Sequence, residues 1–140
     1  LRMKKHSENA LQLAEYLEKR DEIEWVSYPA IPSSPSFKLN QKYLKEGSGG
    51  MFTFGIKGGK NAGKKFINSL KIAGIVPNVG DVKTLVIHPS STTHRQLNDE
   101  ELNKSGVLPE LIRVSIGIEN INDLIDDFTN ALKISQEWGD

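Results

Sequence analysis

The sequence contains no cysteine, which removes thiol nucleophiles, disulfides and thiolate metal sites together. It also carries no net charge, because eighteen basic and eighteen acidic residues cancel. No overall field therefore draws the protein to nucleic acid or to an anionic membrane. No apolar run approaches the ~20 residues that a spanning helix needs. The chain opens Leu1-Arg2-Met3-Lys4-Lys5-His6, charged and helical in character, so no secretory leader is expected. Together these absences point to a cytoplasmic protein with neither nucleic acid nor membrane as partner. A start on leucine suggests a piece cut from a longer chain.

What is present suits a single domain: 140 residues can bury a modest core. Ala10, Leu13, Ala14 and Leu17 repeat at helical spacing and predict a helix over about 4–20. A short strand is expected over Ile23–Tyr28, then a proline-rich loop through Pro35 and a short helix ending near Tyr43. Phe52, Phe54 and Ile56 alternate, placing one face of a strand over Met51–Lys57 against a core. Ala62, Phe66 and Leu70 sit four apart, giving a helix over about 61–71. Further strands are expected over Thr84–His88 and Leu111–Ile118, with a short polar helix over 99–105 between them. The last helix spans about 121–133, and Asn120 is its expected N-cap. The crossovers are irregular, which favours an α+β two-layer domain: a small, mostly antiparallel sheet with helices on one face. Residues 1–133 form that domain and 134–140 a tail.

Three motifs invite a chemical reading and fail it. Gly58, Gly63 and Lys64 match a phosphate-loop spacing, but Lys65 stands where that loop needs a hydroxyl for magnesium. A glycine-rich turn into a basic helix start explains the segment better. His88 and His94 lack a third ligand at supporting spacing, and His6 is remote on a helix. Ser90, Ser91, Thr92 and Thr93 have no oxyanion-hole glycine motif beside them, and such runs commonly satisfy their own loop backbone. The histidines are expected to donate hydrogen bonds within the loop.

Arg113 is different. In Leu111–Glu119 one face of the predicted strand is Ile112, Val114, Ile116 and Ile118, which must meet the helices. The opposite face then carries Arg113 beside the small residues Ser115 and Gly117. Arginine forks a carboxylate with two parallel hydrogen bonds. An alternative from the residues alone is a surface arginine paired with Glu119 or another acid.

Two long motifs tilt that choice. DVKTLVIHPSSTTH, residues 81–94, followed by LIRVSIGIENINDLI, residues 111–125, resembles the closing domain of the Cys/Met-metabolism family of pyridoxal-phosphate enzymes. The resemblance runs from the SENAL helix through FTFGIKGG to the final helix. It implies the small C-terminal domain of a fold-type I transferase. Asn78-Val79-Gly80-Asp81 and the strand before His88 most resemble the O-acetylhomoserine sulfhydrylases. Cystathionine γ-synthases, cystathionine γ-lyases and methionine γ-lyases usually show Ser-Leu-Gly at 78–80, and Ser90 departs mildly from the alanine common after His-Pro.

By that resemblance Arg113 binds the α-carboxylate of an amino-acid substrate, and Asn78 helps to hold it, at least through its backbone. Thr92, Thr93 and His94 border the active-site entrance. The Schiff-base lysine, the ring-stacking aromatic and the aspartate at the pyridine nitrogen belong to a preceding large domain, and no lysine here lies in the matching motif. Pyridoxal 5'-phosphate is thus expected on that large domain and not on this chain. The implied partners are the amino-acid substrate, the large domain and, in the whole enzyme, further copies forming a tetramer. The implied reaction joins O-acetylhomoserine and sulfide to give homocysteine and acetate. A non-enzymatic module that senses an amino acid is the alternative of another class.

Overall fold

The computed structural model describes residues 1–92, 104 and 106–137. Helix α1 (Arg2–Glu18) leads to strand β1 (Ile23–Ser27), the short helix α2 (Phe37–Tyr43) and strand β2 (Met51–Ile56). Helix α3 (Gly59–Ser69), strand β3 (Leu85–Ile87), a single 3-10 turn (Pro89–Ser91), strand β4 (Leu111–Ser115) and helix α4 (Ile121–Gln136) follow. The predicted polar helix over 99–105 lies almost wholly outside the described residues.

The strands form one antiparallel sheet in the order β1-β2-β4-β3. Register pairs Val26 with Phe54, Phe54 with Ile112, Phe52 with Val114 and Val114 with Val86, so these side chains share one face. α1, α3 and α4 cover that face with Leu13, Leu17, Phe66, Leu124, Phe128 and their neighbours, all buried. Phe66 stands edge-on to Phe54 at 5.6 Å and to Phe128 at 5.5 Å, which locks both helices to the sheet. The expected two-layer α+β arrangement is therefore what the chain adopts. α2 buries none of its residues and stands outside the core.

Polar contacts tie the layers where apolar packing ends. The Asn120 side chain accepts from the Asn122 amide at 2.9 Å, the expected cap of α4. Asp127, buried on α4, accepts from the amides of Lys71, Ile72 and Ala73 at 2.8, 3.0 and 3.3 Å. One carboxylate thus satisfies three backbone donors just past α3.

β4 is shorter than expected. It stops at Ser115, because the amide of Gly117 donates to the side chain of Thr84 at 2.9 Å and not to a neighbouring strand. Ile112, Val114 and Ile116 enter the core, whereas Ile118 is 37% exposed and does not belong to the apolar row.

The second face carries a different row across all four strands: Ser27, Thr53, Arg113 and Ile87. Beside it, Trp25 lies against Gly55, whose missing side chain makes room for the indole. The chain before β3 folds back along the sheet, with Gly74 donating to Thr84 and accepting from Val86, each at 2.8 Å. This face is thus flanked by a loop and bears no helix of the core layer.

Tyr28 fixes the start of β2 by donating to the Gly49 carbonyl at 2.8 Å. Burial pushes its phenol from an ordinary value of 10 up to about 12, offset in part by a hydrogen bond with Ser48. The folded chain then holds this proton more tightly than the unfolded chain. Its contribution to stability is whole below pH 10 and is lost as the pH rises toward 12. Denaturant titrations across that range should show a loss of about 2–3 kcal/mol, at roughly 1.4 kcal/mol per unit. Tyr28→Phe should remove most of that slope, and an unchanged slope would assign it to another group.

Candidate carboxylate-binding site

Arg113 occupies the middle of β4 with its side chain on the second face, half-buried. Its register partners are Thr53 and Ile87, neither of which is charged. The loop 78–83 crosses beside it. Gly80, at φ +79°, donates its amide to the hydroxyl of Ser115 at 3.1 Å, next but one to Arg113 along the strand. This backbone turn brings the Asn78 carbonyl 3.5 Å from the Arg113 guanidinium. The Asn78 side chain turns back to accept from the Val79 amide at 2.9 Å, so the carbonyl, not the amide group, faces the arginine.

A guanidinium has five donors. Among the described residues Arg113 spends one of them, on a contact at the outer limit of a hydrogen bond. The alternative pairing with Glu119 does not form. Both oxygens of that carboxylate are committed to Thr84, accepting from its amide at 2.6 Å and its hydroxyl at 2.8 Å. No ion pair to Arg113 forms among the described residues. What remains is an oriented guanidinium fork, open on one side and held near a loop, suited to a planar anion such as a carboxylate.

His88 has another task. Its Nε2 lies 2.6 Å from the carbonyl of Pro109 and its Nδ1 2.8 Å from the hydroxyl of Ser91. Both ring nitrogens are thus engaged, and the Ser91 hydroxyl also donates to the His88 carbonyl at 3.2 Å. Burial pushes the His88 pKa down, and Lys60 and Lys64 push it further the same way. Ser90 donates to Pro109 at 3.2 Å and Thr92 to the His88 carbonyl at 2.9 Å. The hydroxyls are consumed by the loop, as expected, and the ring braces the start of β4. Thr92 is exposed, while Thr93 and His94 lie outside the described residues.

The glycine-rich turn proves to be a packing device. A side chain at Gly63 would meet the His88 Nε2 at 2.6 Å, so this glycine lets α3 sit against the imidazole. Lys65 donates to the Glu137 carbonyl at 3.0 Å. Neither feature forms a phosphate cradle.

Four contributors escaped the sequence reading. His6 lies on the buried side of α1 with Nδ1 2.6 Å from the Ile116 carbonyl, and Asn9 donates to the Gly117 and Glu119 carbonyls at 3.1 and 2.9 Å. Thr84 and Glu119 form the pair already described. The available signal was polar residues on otherwise apolar stripes, His6 and Asn9 three apart on the face of Leu13.

A helix-backed antiparallel sheet, with an arginine that has no acidic partner among the described residues on the face away from the helices, defines a two-layer α+β domain. Residues 1–133 match the model of the Cys/Met metabolism PLP-dependent enzymes, and the chain belongs to that family. Its relatives include a homocysteine synthase of Schizosaccharomyces pombe, 53% identical over 96% of this chain and 32% of the relative. An O-acetyl-L-homoserine sulfhydrylase of Thermus thermophilus is 46% identical over 94% of this chain and 31% of its own length. A solved Campylobacter jejuni structure, described as a candidate O-acetylhomoserine (thiol)-lyase with N'-pyridoxyl-lysine-5'-monophosphate, superposes with a TM-score of 0.86. It is 38% identical, with 94% of this chain and 31% of that one covered. The chain thus spans about a third of the length of the relatives it matches.

Alanine normally improves a helix by up to about 1 kcal/mol over glycine. Gly63→Ala should do the reverse here, costing roughly 1–3 kcal/mol because the new methyl meets a ring held at both nitrogens. Urea unfolding of the two proteins would decide the sign, and a stabilised variant would show that His88 is free to move.

Proposed function

We propose that this chain is the substrate-clamping C-terminal domain, residues 1–133 with a tail at 134–140, of an O-acetylhomoserine sulfhydrylase. The observation that carries the reading is the Arg113 guanidinium: it stands on the sheet face away from the core helices, without an acidic partner among the described residues. Relatives described as homocysteine synthase and O-acetyl-L-homoserine sulfhydrylase support the choice of reaction. The whole enzyme would convert O-acetylhomoserine and sulfide to homocysteine and acetate. By the same resemblance it would be a cytoplasmic homotetramer. Among the described residues no helix is long and apolar enough to cross a membrane.

Pyridoxal phosphate, held by the large domain, would supply the electron sink for bond breaking and making at the substrate carbons. This chain's part is orientation. Arg113 grips the α-carboxylate through two parallel hydrogen bonds, and the Asn78 carbonyl keeps the guanidinium turned toward it. A substrate gripped at its acid end has one fewer way to sit wrongly, which converts binding energy into alignment of the reacting carbons. Thr92, Thr93 and His94 are assigned to the rim of the entrance. A carboxylate gripped by an open arginine alone would bind weakly, so the site works only when the large domain closes its other side.

Arg113→Ala in the full-length enzyme should raise the apparent KM for O-acetylhomoserine about 100-fold or more, from the loss of two charge-assisted bonds. Turnover should fall as well, through misalignment. Arg113→Lys keeps the charge but not the fork and should recover only part of the loss. Steady-state kinetics with sulfide as acceptor reads both. A KM for Arg113→Ala equal to that of the parent would remove the clamp, and turnover with cysteine in place of sulfide would reassign the reaction to a cystathionine synthase.

A further inference from the structure

The loop that carries Asn78 has no hydrophobic anchor of its own. Ile75, Val76, Val79 and Val82 are all exposed, and so is every residue from 75 to 83. Burial therefore does not hold this loop beside Arg113; polar contacts do. They converge on one residue, Thr84, at the point where the loop enters β3. Thr84 is fully buried. Its hydroxyl accepts from the Gly117 amide at 2.9 Å and donates to Glu119 at 2.8 Å, while its amide donates to the same carboxylate at 2.6 Å. Both donors of Thr84 are thus spent on the one carboxylate, each bond with a determined direction. On the far side, Asn9 of α1 donates to the backbone carbonyls of Gly117 and Glu119, fixing the segment that bears the carboxylate.

The corner ties together the two pieces that make the site. Gly117 and Glu119 belong to the exit of β4, four and six residues beyond Arg113. Thr84 belongs to the loop that presents Asn78. Two further bonds join the same partners, Gly80 to Ser115 at 3.1 Å and Ile118 to the Val82 carbonyl at 2.9 Å. These act alongside the Thr84 corner, which alone among them is fully buried.

We propose that Thr84 and Glu119 form a latch that sets the affinity of the carboxylate site by holding the Asn78 loop in register with the strand of Arg113. Neither residue touches the ligand; both are positioning residues. The inference rests on the reading that Arg113 grips the substrate carboxylate.

Thr84→Val keeps the shape of the side chain and removes its hydroxyl, and Thr84→Ser keeps the hydroxyl. In the full-length enzyme Thr84→Val should raise the KM for O-acetylhomoserine about tenfold, with kcat changed less than about threefold and the KM for sulfide unmoved. Thr84→Ser should return the first KM to within about twofold of the parent. In an Arg113→Ala background, Thr84→Val should add nothing, because the group it positions is gone. If Thr84→Val leaves KM unchanged while Arg113→Ala raises it, the latch is wrong and the clamp stands. If Arg113→Ala also leaves KM unchanged, the clamp itself fails. An equal rise from Thr84→Val in both backgrounds, or a parallel rise in the KM for sulfide, would mean general loosening and would overturn the proposal. Should Thr84→Val not fold, Glu119→Gln removes one acceptor with little change of shape. It should raise the same KM about fivefold, and a parental value there would equally overturn the latch.

Discussion

The pleat of β4 is the constraint on which this domain depends. A strand alternates its side chains, so once Ile112 and Val114 are given to the helices, Arg113 and Ser115 have one place to go. A slip of register by one residue would drive the guanidinium into a core built around Phe54, Phe66 and Phe128, where nothing could neutralise it. The aromatic cluster that stabilises the fold therefore also fixes the direction in which the charge points. Stability and site are two sides of the same strand.

Around that strand the polar groups divide into two kinds. His88, Asp127 and His6 hold backbone groups inside or between the layers. Arg113 is the opposite case, a strong multiple donor with one weak contact among the described residues. That contrast with the matched polar groups of the interior is what the proposed clamp rests on. Asn9 Oδ1 is the other unmatched atom among the described residues, but it is sealed within the α1 junction.

Much of this was readable in advance because it follows from short periods. The alternation of Phe52, Phe54 and Ile56 and the stripe of α1 need only local sequence, as does the projection of Arg113. The early end of β4 was not readable, since it depends on Thr84, 33 residues away, taking the Gly117 amide. The same distance hid Glu119: as a residue on the face of Arg113 it looks like a salt-bridge partner, and only the fold shows both its oxygens engaged by Thr84. The packing role of Gly63 was hidden for a related reason, because the need for a missing side chain arises from His88, on a different element. Local pattern gives the faces; long-range hydrogen bonds decide what each polar residue is for.

The strand order has a consequence for how such a domain comes into being. β4 lies between β2 and β3 although it is the last of the strands in the chain. While the polypeptide is being made, β2 and β3 wait with unsatisfied edges for a segment about sixty residues downstream of the first of them. The insertion that closes the sheet is the same event that delivers the guanidinium to its place. On the proposed reading, the clamp and the completed sheet arrive together.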